Sequence, residues 1–166
     1  NDLTAASNSN VIIGFGAMDK ATDSADSNVA IGLYSMNGNW TTADVNNCIA
    51  IGQQTLDGVL TTAASGSVAI GHTALTALTE GPRNVAIGYQ ALDDITTGAD
   101  NTAVGYQALT TAASNSGRNT AVGSWALKTY NRAGNNNNTA IGYGTLLALT
   151  TGENNTALGS VALTTL

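Results

Sequence analysis

Residues 101–109 read NTAVGYQAL, and this stretch decides the fold because it recurs. The same nine-residue pattern occurs as NVIIGFGAM from Asn10, NVAIGLYSM from Asn28, CIAIGQQTL from Cys48 and SVAIGHTAL from Ser67. It continues as NVAIGYQAL from Asn84, NTAVGYQAL from Asn101, NTAVGSWAL from Asn119, NTAIGYGTL from Asn138 and NTALGSVAL from Asn155. The glycines of the nine blocks are Gly14, Gly32, Gly52, Gly71, Gly88, Gly105, Gly123, Gly142 and Gly159, spaced by 17 to 20 residues. Self-similarity at a fixed short period is the signature of a repeat architecture. All 166 residues are therefore read as one repeat domain, with coils beginning near residues 10, 28, 48, 67, 84, 101, 119, 138 and 155.

Each column of the block has a physical reading. Before every glycine stands Ile, Val or Leu; two before it stands Ala, with Ile12 the exception; three before it stands Val, Ile or Thr. β-Branched and small residues closed by glycine predict a short strand that ends in a turn. A glycine at the same place in every copy predicts either positive φ or a close backbone approach. Four residues after the glycine comes Leu or Met, a second apolar stop. The links between blocks are rich in Thr, Ser, Asn, Asp and Gly, which are turn formers.

Charge placement gives an independent check. The blocks hold about half of the chain, yet all sixteen charged residues lie outside them. Blocks are accordingly expected to be buried and links solvated. Only 10% of residues are charged, against about 25% in ordinary domains. The formal net charge is −6, which argues against nucleic acid and against anionic membrane surfaces, since both need a basic face. No apolar run approaches the roughly 20 residues of a membrane helix, and no leader pattern is recognised. The first residue, Asn1, implies a processed chain or a fragment. A single cysteine, Cys48, excludes an internal disulfide framework and a CxxC metal site.

A repeat of this length is too short for a helix pair and fits one turn of a β-coil. Successive coils would pair as parallel strands about 4.8 Å apart, giving a rod about 40 Å long. The fold class is thus all-β, a parallel β-solenoid of nine coils. Neighbouring side chains of a strand point to opposite faces, and here both faces are apolar. One face can pack inside its own coil. The other needs a cover that the chain does not encode as helices, so it is expected to pack on other copies of the chain.

The SVAIG and NTAVG blocks resemble the head repeats of YadA-like trimeric autotransporter adhesins. They are still more similar to the NTAVGYQAL repeats of phage and viral tail fibres. The resemblance covers residues 10–163 and implies a left-handed parallel β-roll, three chains wound about one axis. Handedness and the number three come from the resemblance; the residues alone give a coil and more than one chain. The adhesin heads use a shorter repeat, and no heptad stalk, anchor barrel, fibre tip or chaperone domain is recognised here. Bacterial or viral origin therefore stays open.

Candidate site residues are few. Asn10, Asn28, Asn84, Asn101, Asn119, Asn138 and Asn155 occupy one column, with Cys48 and Ser67 in the other two copies. The column predicts a polar ladder of stacked amides rather than a metal or sugar site. Phe15, Tyr89, Tyr106 and Tyr143 follow their glycines, as does His72. Packing over the next coil or at a chain boundary is the expectation for the rings, and a glycan-stacking strip is the rival. The paired acids Asp93 and Asp94 sit in a link, without the cleft geometry a glycosidase needs. Asn39, Asn137 and Asn154 open weak Asn-X-Thr triplets, and Cys48 is read as an inert thiol. No catalytic, metal or cofactor-binding residue is assigned.

The reading is a non-enzymatic structural segment of an extracellular fibre, at a cell or virion surface. It is expected as a homotrimer, with head-to-tail stacking as an extension. The first alternative is an adhesin head that grips a host or surface receptor through its links, including those near Trp40 and Trp125. A remote one is ice binding by the Thr pairs at 41–42, 61–62, 96–97, 110–111 and 150–151, whose distance from the preceding glycine varies.

Overall fold

The computed structural model describes residues 9–21, 25–39 and 44–164. Every block opens on a three-residue strand followed by a turn. In chain order the strands are β1 (Val11–Ile13), β2 (Val29–Ile31), β3 (Ile49–Ile51), β4 (Val68–Ile70), β5 (Val85–Ile87) and β6 (Thr102–Val104). Two short link strands follow, β7 (Thr111–Ala112) and β8 (Ser116–Gly117), then β9 (Thr120–Val122). The rest are β10 (Thr129–Tyr130), β11 (Gly134–Asn135), β12 (Thr139–Ile141) and β13 (Thr156–Leu158). A 3-10 turn spans Thr62–Ala64.

The nine block strands form one parallel sheet in the order β1-β2-β3-β4-β5-β6-β9-β12-β13. The chain is a β-solenoid of nine rungs joined by eight turns. Register is strict: Ala86 stands opposite Ala69 and Ala103, and Ile87 opposite Ile70 and Val104. The link strands pair only with one another, β7 with β10 and β8 with β11, again in parallel.

Burial follows from the alternation of the strand. The Ala column is sealed inside the coil, fully buried from Ala30 to Ala140. The residues on either side of it, Val or Thr before and Ile, Val or Leu after, point out of the coil and are half-buried to exposed. A narrow coil leaves room for a methyl group inside, and the larger side chains are turned outward.

After the glycine the chain turns sharply, and the ladder continues through the turn. The Gln107 N–H donates to the Tyr89 carbonyl at 2.8 Å, and the Leu109 N–H donates to the Ala126 carbonyl at 3.0 Å. The turn needs left-handed backbone at residues that are not glycine, with φ 52° at Gln107 and 50° at Leu109. Each such residue costs about 1–2 kcal/mol. The Leu and Met column is fully buried from Met18 to Leu146, and burying such a side chain contributes about 1.5–3 kcal/mol. Burial of the column therefore offsets much of the turn's strain at the eight rungs from Met18 to Leu146.

The links are not simply solvated, and this corrects the expectation drawn from charge placement. They feed a further interior column: Ala21, Leu78, Ile95, Tyr130 and Leu149 are buried and Ala112 is half-buried, each three residues after the last residue of its block. Leu60 is buried one position later. The interior thus has four columns, of Ala, Asn, Leu or Met, and link apolar residues. Tyr130 is its largest side chain, and its hydroxyl donates to the Gly152 carbonyl at 2.8 Å.

Candidate functional site

The block glycines stack on one another. At Gly105 φ is +139°, and a Cβ there would come within 2.5 Å of the Gly123 carbonyl oxygen. Both conformation and close approach demand glycine at this column. It is a structural requirement of the coil, not a binding device.

The Asn column is a ladder inside the coil. The Asn101 side-chain carbonyl accepts the Asn119 backbone N–H at 3.0 Å, and the Asn119 carbonyl accepts the Asn138 N–H at 3.1 Å. Each amide NH₂ also donates, as from Asn101 to the Ser116 carbonyl at 2.9 Å. The same backbone contact runs from Asn28 to Asn10 at 2.8 Å, from Asn101 to Asn84 at 3.0 Å and from Asn155 to Asn138 at 3.0 Å. Buried amides left without partners would each cost about 1–3 kcal/mol, so the stacking explains why they are tolerated inside.

Cys48 weakens the ladder. Its N–H donates to the Asn28 side-chain carbonyl at 2.9 Å, as an Asn would. Its sulfur, facing the Ser67 and Gly66 N–H groups, is a weak acceptor in the place of an amide oxygen. Burial pushes the Cys48 thiol up despite those groups, which disfavours the thiolate. Ser67 restores the contact, its hydroxyl accepting the Asn84 N–H at 3.3 Å.

The outer face of the nine-stranded sheet carries two outward columns that are mostly aliphatic. Val11, Val29, Ile49, Val68 and Val85 line one outward column, with Thr102, Thr120, Thr139 and Thr156 completing it. Ile13, Ile31, Ile51, Ile70, Ile87, Val104, Val122, Ile141 and Leu158 line the other. The residues of this face are exposed at the ends of the sheet and half-buried between them, over a length of about 40 Å.

Beside it runs a file of rings. His72 stacks on Tyr89 at 5.4 Å and Tyr89 on Tyr106 at 5.3 Å, with planes within 12° of parallel. Trp125 follows, edge-on to Tyr106 at 6.3 Å and tilted against Tyr143 at 5.5 Å. Phe15 sits apart, against Tyr34 at 5.7 Å. In the stacked part Tyr89 has a ring against each face, so a sugar cannot stack on it.

The acids form no paired site. Asp93 is half-buried and Asp94 exposed. Burial pushes the Asp93 carboxyl up, the neighbouring Asp94 charge adds to this, and a hydrogen bond from Thr76 works against it. Asp57 is likewise pushed up by burial, although it accepts the Asn37 N–H at 3.1 Å. Among the described residues, no group of three or more His, Cys, Asp and Glu is placed to hold a metal ion.

The Thr pairs fall in different rows. The Thr61 N–H donates to Thr79 and the Thr79 N–H to Thr96, whereas Thr111 pairs with Thr129 and Thr150 accepts from Asn131. Thr41, Thr42 and Trp40 lie outside the described residues, and Asn39, Asn137 and Asn154 are exposed.

The exposed column before each Asn was missed from sequence. Its residues include Asp100, Arg118 and Asn137, each with positive φ. Arg83 in this column meets Asp100 of the next rung through two bonds of 2.7 and 3.0 Å. The guanidinium holds the Asp100 carboxyl below its usual value. Asn, Asp and Gly at several of these positions were the available signal, since they tolerate left-handed backbone.

Compared with protein-family models, with curated proteins and with solved structures, the chain finds no match in any of the three.

Proposed function

We propose that the chain is a non-enzymatic structural segment of an extracellular fibre in which three copies wind about one axis. The carrying observation is the outer face of the sheet, two columns of β-branched and aliphatic residues running nine rungs, exposed at the ends and half-buried between. Open apolar patches beyond a few hundred Å² mark interaction surfaces, and strands apolar on both faces belong in sheets covered on both sides. A second and third copy supply such a cover with the same strict register. The number three and the left-handed winding rest on the likeness of the NTAVGYQAL blocks to tail-fibre and adhesin-head repeats. The absence of a catalytic role is part of the same reading, which assigns the buried polar residues to the ladder.

Native mass spectrometry of the dilute chain tests the proposal. A mass of three chains, or of multiples of three, supports it. A stable single chain overturns it, because the outer face would then be tolerated in water.

A further inference from the structure

Where the ring file meets the links there is a cleft of about 390 Å³, lined by Trp125, Lys128, Thr129, Leu147 and Ala148. Its volume lies at the lower end of the range for small-ligand sites, about 300–1,000 Å³. None of its five residues belongs to the outward Val and Ile columns. The cleft is built on bonded backbone: the Lys128 carbonyl accepts the Thr111 N–H at 2.9 Å, and the Thr129 N–H donates to the Leu147 carbonyl at 3.0 Å. Trp125 is fixed from behind, its indole N–H donating to the Gln107 side-chain carbonyl at 3.2 Å. A site whose walls are held in this way needs little ordering on binding.

The charge in this cleft has no partner. Arg83 is taken by Asp100 and Arg132 by Glu153, but no acidic side chain among the described residues pairs with Lys128. Its ammonium instead lies 5.4 Å from the centre of the Trp125 ring, within cation–π range. A lone cation beside an aromatic ring, two aliphatic side chains and a hydroxyl suits a ligand with one negative charge, one apolar face and several hydroxyls. The net charge of −6 disfavours polyanions. A single carboxylate loses less to that repulsion than a chain of phosphates does.

We infer that this cleft binds a carboxylated pyranose, a uronic acid or a sugar of that class. Trp125 and Leu147 take the C–H face of the ring, Lys128 the carboxylate and Thr129 a hydroxyl. The site is built by rungs 7 and 8 of one chain, and the probe is read on the full chain in whichever assembly it forms.

The test is a titration of ¹⁵N-labelled full-length chain with glucuronic acid and, separately, glucose. The indole N–H of Trp125 reports binding and that of Trp40 serves as the internal reference. Glucuronic acid is expected to shift the Trp125 signal saturably in the millimolar range, at least tenfold tighter than glucose. Lys128→Gln should remove that preference and leave the Trp40 signal in place, and Trp125→Phe should retain part of the binding. Equal affinity for the two sugars, or no shift with either, overturns the inference. So does tighter binding of a glutamate-rich peptide, which would make the cleft a peptide site.

Discussion

The first five rungs and the last four are built on one repeat but draw their stability from different places. In rungs 1–5 the outward column before Ala is Val or Ile throughout; in rungs 6–9 it is Thr throughout. The interior differs in the opposite sense. Among the described residues, the buried side-chain oxygens without a hydrogen-bond partner, on Ser35, Asn37, Thr61 and Thr73, all lie in the first half. The weak ladder step at Cys48 lies there too. The second half has an unbroken Asn ladder from Asn101 to Asn155, two extra link ladders and most of the ring file. A less satisfied interior is thus joined to a fully aliphatic outer face. The comparison teaches that, in the proposed assembly, the first half would lean more on partner copies, while the second is better held within one chain.

The largest effect should come from charging the outer face. Ile70→Asp places a carboxylate in the aliphatic strip of the first half. Burying it unpaired costs several kcal/mol in each copy, so the native mass is expected to fall to a single chain. Thr120→Asp, in the Thr stretch, should weaken assembly far less. If the two variants behave alike, the halves do not differ in what holds the copies together.

A smaller effect is expected at the glycine stack, where the halves should agree. A Cβ at Gly52 would meet the Gly71 carbonyl oxygen at 2.7 Å, with φ +133°, and Gly105 is equally crowded. Gly52→Ala and Gly105→Ala should each cost about 3 kcal/mol or more, from strain plus the displaced rung. Urea unfolding of the two variants checks this. A loss at one site only would mean that the difference between halves reaches the backbone stack itself. Gly159 makes the contrast within the second half, since a Cβ there meets nothing within 4 Å while φ stays at +119°. Gly159→Ala should keep the strain and lose the clash, for a cost nearer 1–2 kcal/mol.

These columns also show what was legible. The strand at residues 102–104, the turn at Gly105 and the parallel stacking follow from a repeat that places like residues at like positions. That one side of the strand takes only a methyl was legible as well; that this side is the inward one was not, because both sides are apolar. The interior role of the links was hidden by their polarity, although Leu78, Ile95, Tyr130 and Leu149 keep a constant spacing from the Leu before them. Leu60, slipped by one position, breaks that spacing and masks it. The link ladders carry no signal, since Ser116–Gly117 and Gly134–Asn135 read as ordinary turn residues. The cleft at Trp125 depends on two links lying side by side, which residue order alone does not reveal.

The smallest effect is the most specific to the comparison. If the first half is weaker inside because sulfur replaces an amide at Cys48, Cys48→Asn should repair it. The new carbonyl would accept the Ser67 N–H, and the new NH₂ would face the Ala64 carbonyl that the thiol now meets at 3.6 Å. A strong hydrogen bond in place of a weak one contributes about 1 kcal/mol. Asn119→Ala in the second half breaks an intact ladder and should cost about 1–3 kcal/mol by leaving the Asn138 N–H unmet. Unfolding both variants in urea, alongside the parent chain, gives the two signs directly. A destabilising Cys48→Asn would mean that the coil at rung 3 has closed around the smaller side chain. The polar ladder would then not be what separates the two halves, and the aliphatic outer face of rungs 1–5 would have to be explained by assembly alone.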